Sequence, residues 1–259
     1  MSRQSHTVTG SRCLVIGATG AIGSAVTEHL RAAGAPVVTT GRGPLSGGAA
    51  TPEGSQSPVR HIELDVRDPE AVAGTVDEAA QAMGGLDALV YCPGVAHVGP
   101  LDGISPTQWN EIFEVNTRGF GLAVAAALPY WRGDTPGRAV AVSSQAARRG
   151  QALIGAYSAS KAGLEGLVRA LAVELASVAR VNAVAPGIVP TEMIHEDFRR
   201  QAAQQGQPVE VIEERTLGRI PTGSFQDAAA VAAAVGFLVS PAAAHITGQV
   251  LGVDGGMTA

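Results

Sequence analysis

Tyr157 and Lys161 are the residues whose type and spacing most directly suggest chemistry. They lie in Gly155-Ala156-Tyr157-Ser158-Ala159-Ser160-Lys161-Ala162-Gly163, and apolar residues continue at helical spacing to about Leu175. That pattern predicts one helix carrying both side chains on a single face, one turn apart. A free phenol, with a pKa of about 10, is a poor proton donor or acceptor near neutrality. An ammonium beside it favours the phenolate. A value moved toward the working pH would suit general acid or base catalysis. Taken alone, the pair could equally belong to an ordinary amphipathic helix, so the elements that position it decide.

Cys13-Leu14-Val15-Ile16 reads as a buried strand, followed by Gly17-Ala18-Thr19-Gly20-Ala21-Ile22-Gly23, a helix from Ser24 to Ala33 and a second strand from Pro36 to Thr40. A strand, glycine loop, helix and strand in that order begin a parallel α/β sheet of the doubly wound Rossmann type, with helices on both faces. The glycines let the chain turn tightly and let a pyrophosphate reach backbone N–H groups at a helix N-terminus. Gly41-Arg42 closes the second strand without an acidic residue. An acid there would hold a ribose 2′-hydroxyl, whereas an arginine accommodates a 2′-phosphate. Arg42 therefore reads as a preference for NADP(H) over NAD(H), the alternative being a solvated loop arginine.

Residues 43–58 read as a mobile loop rich in Gly, Ser, Pro and Ala. A third strand is expected over 61–66, with Asp65 and Val66 at its end near an adenine. A helix over 69–83 leads to a strand over 86–92, which Pro93-Gly94 ends at the cofactor edge. A long helix over 106–127 holds Asn116, whose amide needs a partner if buried. The strand over 138–144 puts Ser143 and Ser144 at its carboxyl end, where open α/β sheets bind ligands. A strand over 181–185 ends in Pro186-Gly187. The polar stretch 191–222, broken by Gly206 and Pro208, reads as a substrate lid or a plain surface excursion. A helix over 227–239 and a strand over 248–253 complete one domain spanning residues 1–259, with 1–11 a flexible N-terminal tail.

The 259 residues are 46% hydrophobic and 16% charged, enough for a sizeable core. A net charge of −5 gives no general attraction to nucleic acid or anionic membrane. Cys13 and Cys92 sit in apolar runs and read as reduced thiols, with no metal site expected. No apolar run reaches membrane-spanning length, and the polar start lacks a signal-peptide core, so a cytoplasmic protein is expected.

With these residues in order, the chain resembles the classical branch of the short-chain dehydrogenase/reductase family over nearly its whole length. The markers are Gly17 to Gly23, Asp65-Val66, Gly94, Asn116, Ser144, Tyr157 with Lys161, Pro186-Gly187 with Thr191, and Ile246-Thr247-Gly248-Gln249 before Asp254-Gly255-Gly256. The resemblance implies that Tyr157 is the general acid/base and that Ser144 hydrogen-bonds the reacting oxygen. It implies that Lys161 lowers the tyrosine pKa and binds the nicotinamide ribose, that Asn116 holds a relay water, and that Ile188 and Thr191 contact the nicotinamide. It also implies a homotetramer or homodimer. Departures exist: Ile16 and Ala21 stand where the family has threonine and glycine, and Tyr91-Cys92-Pro93-Gly94 replaces its usual Asn-Asn-Ala-Gly.

The tail and residues 181–191 are most similar to 3-oxoacyl-carrier-protein reductases. The implied function is NADPH-dependent reduction of a ketone, with a 3-oxoacyl thioester or a related biosynthetic ketone as the candidate substrate. The alternatives are a dehydrogenase oxidising a secondary or cyclic alcohol, and a non-catalytic cofactor-binding regulator. Val178 stands where such reductases carry a basic carrier-docking residue. Arg148 and Arg149, between Ser144 and Tyr157, could meet a substrate phosphate or carboxylate, or be solvated. His97, Gln145 and Gln151 are further candidate substrate contacts.

Overall fold

Strand β1 (Cys13–Ile16) is buried at every residue, as a strand must be when helices cover both faces of its sheet. Its side chains alternate between two cores: Leu14 and Ile16 join one, Cys13 and Val15 the other. The same alternation runs through β4 (Ala88–Tyr91) and β5 (Gly137–Val142). A computed structural model, which describes residues 8–44, 60–133 and 135–259, places these strands in one seven-stranded sheet. The other strands are β2 (Val37–Gly41), β3 (Arg60–Glu63), β6 (Ala179–Pro186) and β7 (Val250–Val253). All pairings are parallel, in the order β3-β2-β1-β4-β5-β6-β7. The order reverses between β1 and β4, which makes their carboxyl ends the place for a ligand.

The first core lies under α2 (Pro69–Met83), α4 (Gly119–Ala127) and α5 (Gly155–Glu174), and is filled by Tyr91, Phe120, Trp131 and Leu164 among others. The second lies under α1 (Ala21–Ala32) and α8 (Ala228–Val239), where Val26, Leu30, Val235 and Val239 meet. Gly236 lets α8 approach closely, since a Cβ there would collide with the His29 ring. Local chemistry sets the helix ends. Asp68 caps α2 through the Glu70 and Ala71 amides, and Gly84 closes it at φ +70°. Ser105 and Gln108 form a capping box on α3 (Pro106–Phe113). No helix among the described residues is long and apolar enough to cross a membrane.

Three expectations change. The single helix over 106–127 is α3, a π-helical turn at Glu114–Arg118 and α4. The third strand is shorter, Arg60–Glu63, so Asp65 and Val66 lie beyond it. Residues 8–11 are tied to the fold at two points: Val8 is 4% exposed within the second core, and the Gly10 N–H donates to the Gly34 carbonyl at 3.1 Å. Residues 1–7 of the expected tail, and 45–58 of the expected loop, lie outside the described residues.

Candidate active site

Helix α5 carries Tyr157 and Lys161 one turn apart, as their spacing requires. Lys161 is 2% exposed; its Nζ donates to the Val142 carbonyl at the end of β5, at 2.8 Å, and stands 5.9 Å from the Tyr157 ring centroid. Burial pulls the Lys161 ammonium down to about 8. Burial also raises the Tyr157 phenol, opposed by its hydrogen bond with Ser144. For the phenol, desolvation outweighs that hydrogen bond, while the Lys161 ammonium is turned to the Val142 carbonyl. Ser144 is placed by β5, and its hydroxyl also caps the following short turn through the Ala146 amide at 3.1 Å.

Asn116 is fully buried and has found its partners. Its Oδ1 accepts from the Val95 N–H at 2.8 Å, and its Nδ2 donates to the Val95 carbonyl and the Ser160 Oγ, both at 2.9 Å. Ser160 in turn donates to the Tyr157 carbonyl at 2.7 Å. Gly94 completes the convergence: a Cβ there would lie 3.4 Å from Lys161 Nζ. Four segments distant in sequence therefore meet at the carboxyl ends of β4 and β5.

The nucleotide edge adjoins this site. Gly17 takes φ +81°, and its N–H and that of Ala18 bond to the Thr40 carbonyl. A Cβ at Gly23 would collide with the Gly17 carbonyl. Thr19, Gly20 and Ala21 are exposed, and Ile22 is partly buried against the second core. Unlike α2, α3 and α8, helix α1 has no side-chain cap hydrogen bond at its N-terminus. Such an end, beside a glycine bend, fits a pyrophosphate. Arg42 is exposed next to Gly41, and Glu63 stands level with Gly41 on the neighbouring strand. The Asp65 carboxylate is engaged by Arg67, at 2.6 Å from Nη2, which holds it below the usual carboxylate range. Val66 is buried. At the far edge, the Gly187 N–H donates to Val253, where Pro186 ends β6, and Thr191 begins α6 (Glu192–Gln205) without using its hydroxyl as a cap.

The expected substrate contacts fare differently. His97 has both ring nitrogens occupied by α3, Nε2 with Glu111 at 3.1 Å and Nδ1 with Gln108 at 3.3 Å, so it braces that helix. Arg148 turns away to Glu165 at 3.4 Å and to the Val250 carbonyl at 2.9 Å, tying α5 to β7. Gln145 is buried, with an Oε1 that has no hydrogen-bond partner among the described residues. Gln151 is exposed.

Other residues emerge only in three dimensions. Gln226 clamps the turn after β6, its Oε1 accepting from the Ile188 N–H at 2.6 Å while its own N–H donates to the Ile188 carbonyl. Glu165, 5% exposed, accepts from Ser143 at 3.1 Å. Leu153 takes φ +68°, a conformation that costs a branched residue about 1–2 kcal/mol. Its carbonyl receives the Gly99 N–H at 2.8 Å, which joins the two loops flanking the site. Only the spacing of Glu165, two turns below Tyr157, was visible in sequence.

A parallel doubly wound sheet with a glycine bend at its first helix and a Ser, Tyr and Lys cluster at its carboxyl edge defines a dinucleotide-dependent oxidoreductase. Comparison with known proteins agrees. Residues 17–258 match the family model described as enoyl-(acyl carrier protein) reductase. The chain is 35% identical, over 95% of its length and 96% of the relative's, to cis-4-hydroxycyclohexanecarboxylate dehydrogenase of Sinomonas cyclohexanicum. It is 33% identical, over 96% and 97%, to the 3-oxoacyl-(acyl-carrier-protein) reductase FabG of Vibrio cholerae. The structure superposes on ligand-free aldohexose dehydrogenase of Thermoplasma acidophilum with a TM-score of 0.86 at 27% identity, covering 97% and 95% of the two chains. The chain belongs to the short-chain dehydrogenase/reductase family and is an NAD(P)-dependent oxidoreductase.

Proposed function

We propose that this protein is an NADPH-dependent reductase that delivers hydride to a ketone, with Tyr157 as the general acid. The observation carrying this reading is the meeting of Ser144, at the end of β5, with Tyr157 and Lys161, one turn apart on α5, at the carboxyl edge of the sheet. The Tyr157 hydroxyl can donate its proton to a developing alkoxide. The Ser144 hydroxyl can hydrogen-bond the same oxygen as its charge grows. Lys161, pulled down to about 8, still holds its proton at neutral pH and is placed to meet a ribose hydroxyl and to stabilise the phenolate left behind. We assign Asn116 a positioning role, because its amide is bonded to Val95 and Ser160. Nicotinamide, when bound, supplies the hydride. Gly17 to Gly23 and the uncapped α1 end would hold its pyrophosphate, Arg42 a 2′-phosphate, and Gly187, Ile188 and Thr191 would border its nicotinamide end.

The substrate is a small ketone or an acyl thioester, and a second reading, oxidation of a secondary or cyclic alcohol, has its own support. Arg148 is committed to Glu165 and Val250, which leaves less basic character for a carrier phosphate. One relative is a dehydrogenase of a hydroxycyclohexane carboxylate. Assembly into a homotetramer or homodimer fits the outer face of α5, where Gly163, Gly166, Ala170 and the 81%-exposed Val173 form a stripe. A Cβ at Gly166 would meet nothing within 4 Å, and one at Gly163 would make only ordinary contact with Thr117 at 3.8 Å, so packing inside one chain requires glycine at neither.

The test is a panel of acyl thioesters and cyclic ketones with both cofactors. NADPH should exceed NADH in kcat/KM, and Arg42→Ala should erase the difference. Tyr157→Phe should slow ketone reduction by about 100- to 10,000-fold. A wild-type rate for Tyr157→Phe sinks the mechanism; an unchanged cofactor preference for Arg42→Ala sinks only the role of Arg42.

A further inference from the structure

Tyr91 ends β4 with its side chain fully buried and its ring edge-on to Phe120 at 5.8 Å. Its hydroxyl donates to the Val115 carbonyl at 2.6 Å. In a regular α-helix that carbonyl would take the N–H of residue 119. Here the Gly119 N–H goes one residue further back, to Glu114, which is the pairing of a π turn. The phenol therefore occupies the carbonyl that the Gly119 amide has left. Gly119 makes room for it: a Cβ at that position would collide with the Tyr91 hydroxyl.

The next residue along the turn is Asn116, held to both backbone groups of Val95 and to Ser160. Val95 follows Tyr91 on the same segment, so the end of β4 grips two consecutive residues of the turn, Val115 by a hydroxyl and Asn116 by its backbone. Ser160 passes the constraint to the Tyr157 carbonyl in the first turn of α5. If the turn closed to α-helical pairing, one residue would be lost from it. Residues on one side would then rotate by about 100° about the axis relative to those on the other, and Asn116 could not face Val95 and Ser160 as it does.

From this geometry we infer that Tyr91 is a positioning residue for the reaction: its hydroxyl holds the π turn open, and so keeps Asn116 bridging β4 to the helix that carries Tyr157. Burial raises the Tyr91 phenol well above its usual range, so it remains a donor at every working pH. The role rests on Tyr157 being the general acid, and on no contact between Tyr91 and a ligand.

Tyr91→Phe keeps the ring and removes only the hydroxyl. Its kcat for ketone reduction should fall about 10- to 100-fold, the scale of a small misplacement of reacting groups, while KM for ketone and NADPH changes little. The alkaline limb of its kcat–pH profile should shift, because the environment of Tyr157 has moved. Gly119→Ala attacks the same contact from the other side and should reproduce the loss. The double variant should be no worse than Gly119→Ala alone, since removing the hydroxyl takes away the hardest collision and leaves the Tyr91 ring and Val66 at 3.2 Å. Phe120→Leu controls for packing: it should lower Tm and leave kcat and the pH profile in place. The inference is overturned if folded Tyr91→Phe or folded Gly119→Ala has the wild-type kcat and pH profile, or if their effects multiply in the double variant. Tyr157→Phe run in parallel separates the failures, because a wild-type rate there sinks the general-acid reading itself, whatever Tyr91 does.

Discussion

Around α5 the polar side chains are tied to backbone: Lys161 to the Val142 carbonyl, Asn116 to Val95, Thr117 to the Ser160 carbonyl. In α6 and α7 (Val209–Leu217) the polar contacts run between side chains at the surface. Arg199 meets Glu192, Arg200 meets Asp197, and Arg215 meets Gln205 and Gln207. Buried hydrogen bonds are expensive to break because a lost partner leaves a desolvated group. Exposed pairs contribute little. The buried apolar cluster of the excursion is also small, Phe198, Ala202 and Ile212. One side of the site is therefore held by buried polar contacts and the other by exposed ones over a small core, which is the arrangement the proposed substrate lid calls for.

Two phenylalanines test that difference most severely. Phe120 is fully buried in the main core and Phe198 is 4% exposed in the excursion, where it packs on Phe225 at 6.0 Å. Phe120→Ala should lower the unfolding free energy by about 3–5 kcal/mol. Phe198→Ala should lower it by less, because a segment that opens locally cannot remove more global stability than its own closing supplies. Denaturant unfolding gives both numbers, and hydrogen exchange should show residues 192–217 unprotected in Phe198→Ala alone. Equal losses would mean that the excursion is part of the cooperative core.

The scaffold also stores a charge at a cost, which pH can read. Lys161 is pulled down to about 8, whereas an unfolded lysine titrates near 10.4. Between those values the unfolded chain holds the extra proton, so this group makes stability rise with pH. The thiols of buried Cys13 and partly buried Cys92, each pushed up to about 12, act in the opposite sense above about 8.5, since they ionise only on unfolding. The clean quantity is the difference between wild type and Lys161→Met. The variant should be favoured at neutral pH, and its advantage should shrink by an amount of order 3 kcal/mol between pH 8 and 10.5. Denaturant midpoints across that range check it, and a constant difference would mean that Lys161 is not desolvated.

How much of this was legible in the sequence follows the same division. Strand β1, the glycine bend and the Tyr157–Lys161 spacing depend on local pattern, and they stand where periodicity put them. Helix α2 runs from Pro69 to Met83 because its cap and its closing glycine are both short-range chemistry. Asn116 announced a need for partners, but not that Val95 and Ser160 would meet it, since those contacts span loops whose closure no local pattern encodes. The π turn was invisible for the same reason: it depends on a hydroxyl from β4 reaching Val115. His97 and Arg148 look like substrate contacts in a linear reading. Only the packing of Glu111 and Glu165 beside them shows which partners they take.

The smallest effect gives the finest comparison, because two glycines share one conformation in the two regions. Gly84 closes α2 at φ +70° and Gly206 closes α6 at φ +61°, and a Cβ at either position meets nothing within 4 Å. Alanine at each site therefore carries only the backbone cost of the left-handed conformation, about 1 kcal/mol. On the scaffold side that cost appears as lost global stability, so Gly84→Ala should lower Tm and leave KM and kcat alone. In the excursion it falls on the closed form of α6 and α7. Gly206→Ala should then raise KM for the ketone by up to about fivefold, the equilibrium equivalent of 1 kcal/mol, with Tm almost unchanged. If the two alanines instead shift Tm equally and spare KM, the α6–α7 segment is a fixed surface element, and substrate entry does not depend on its opening.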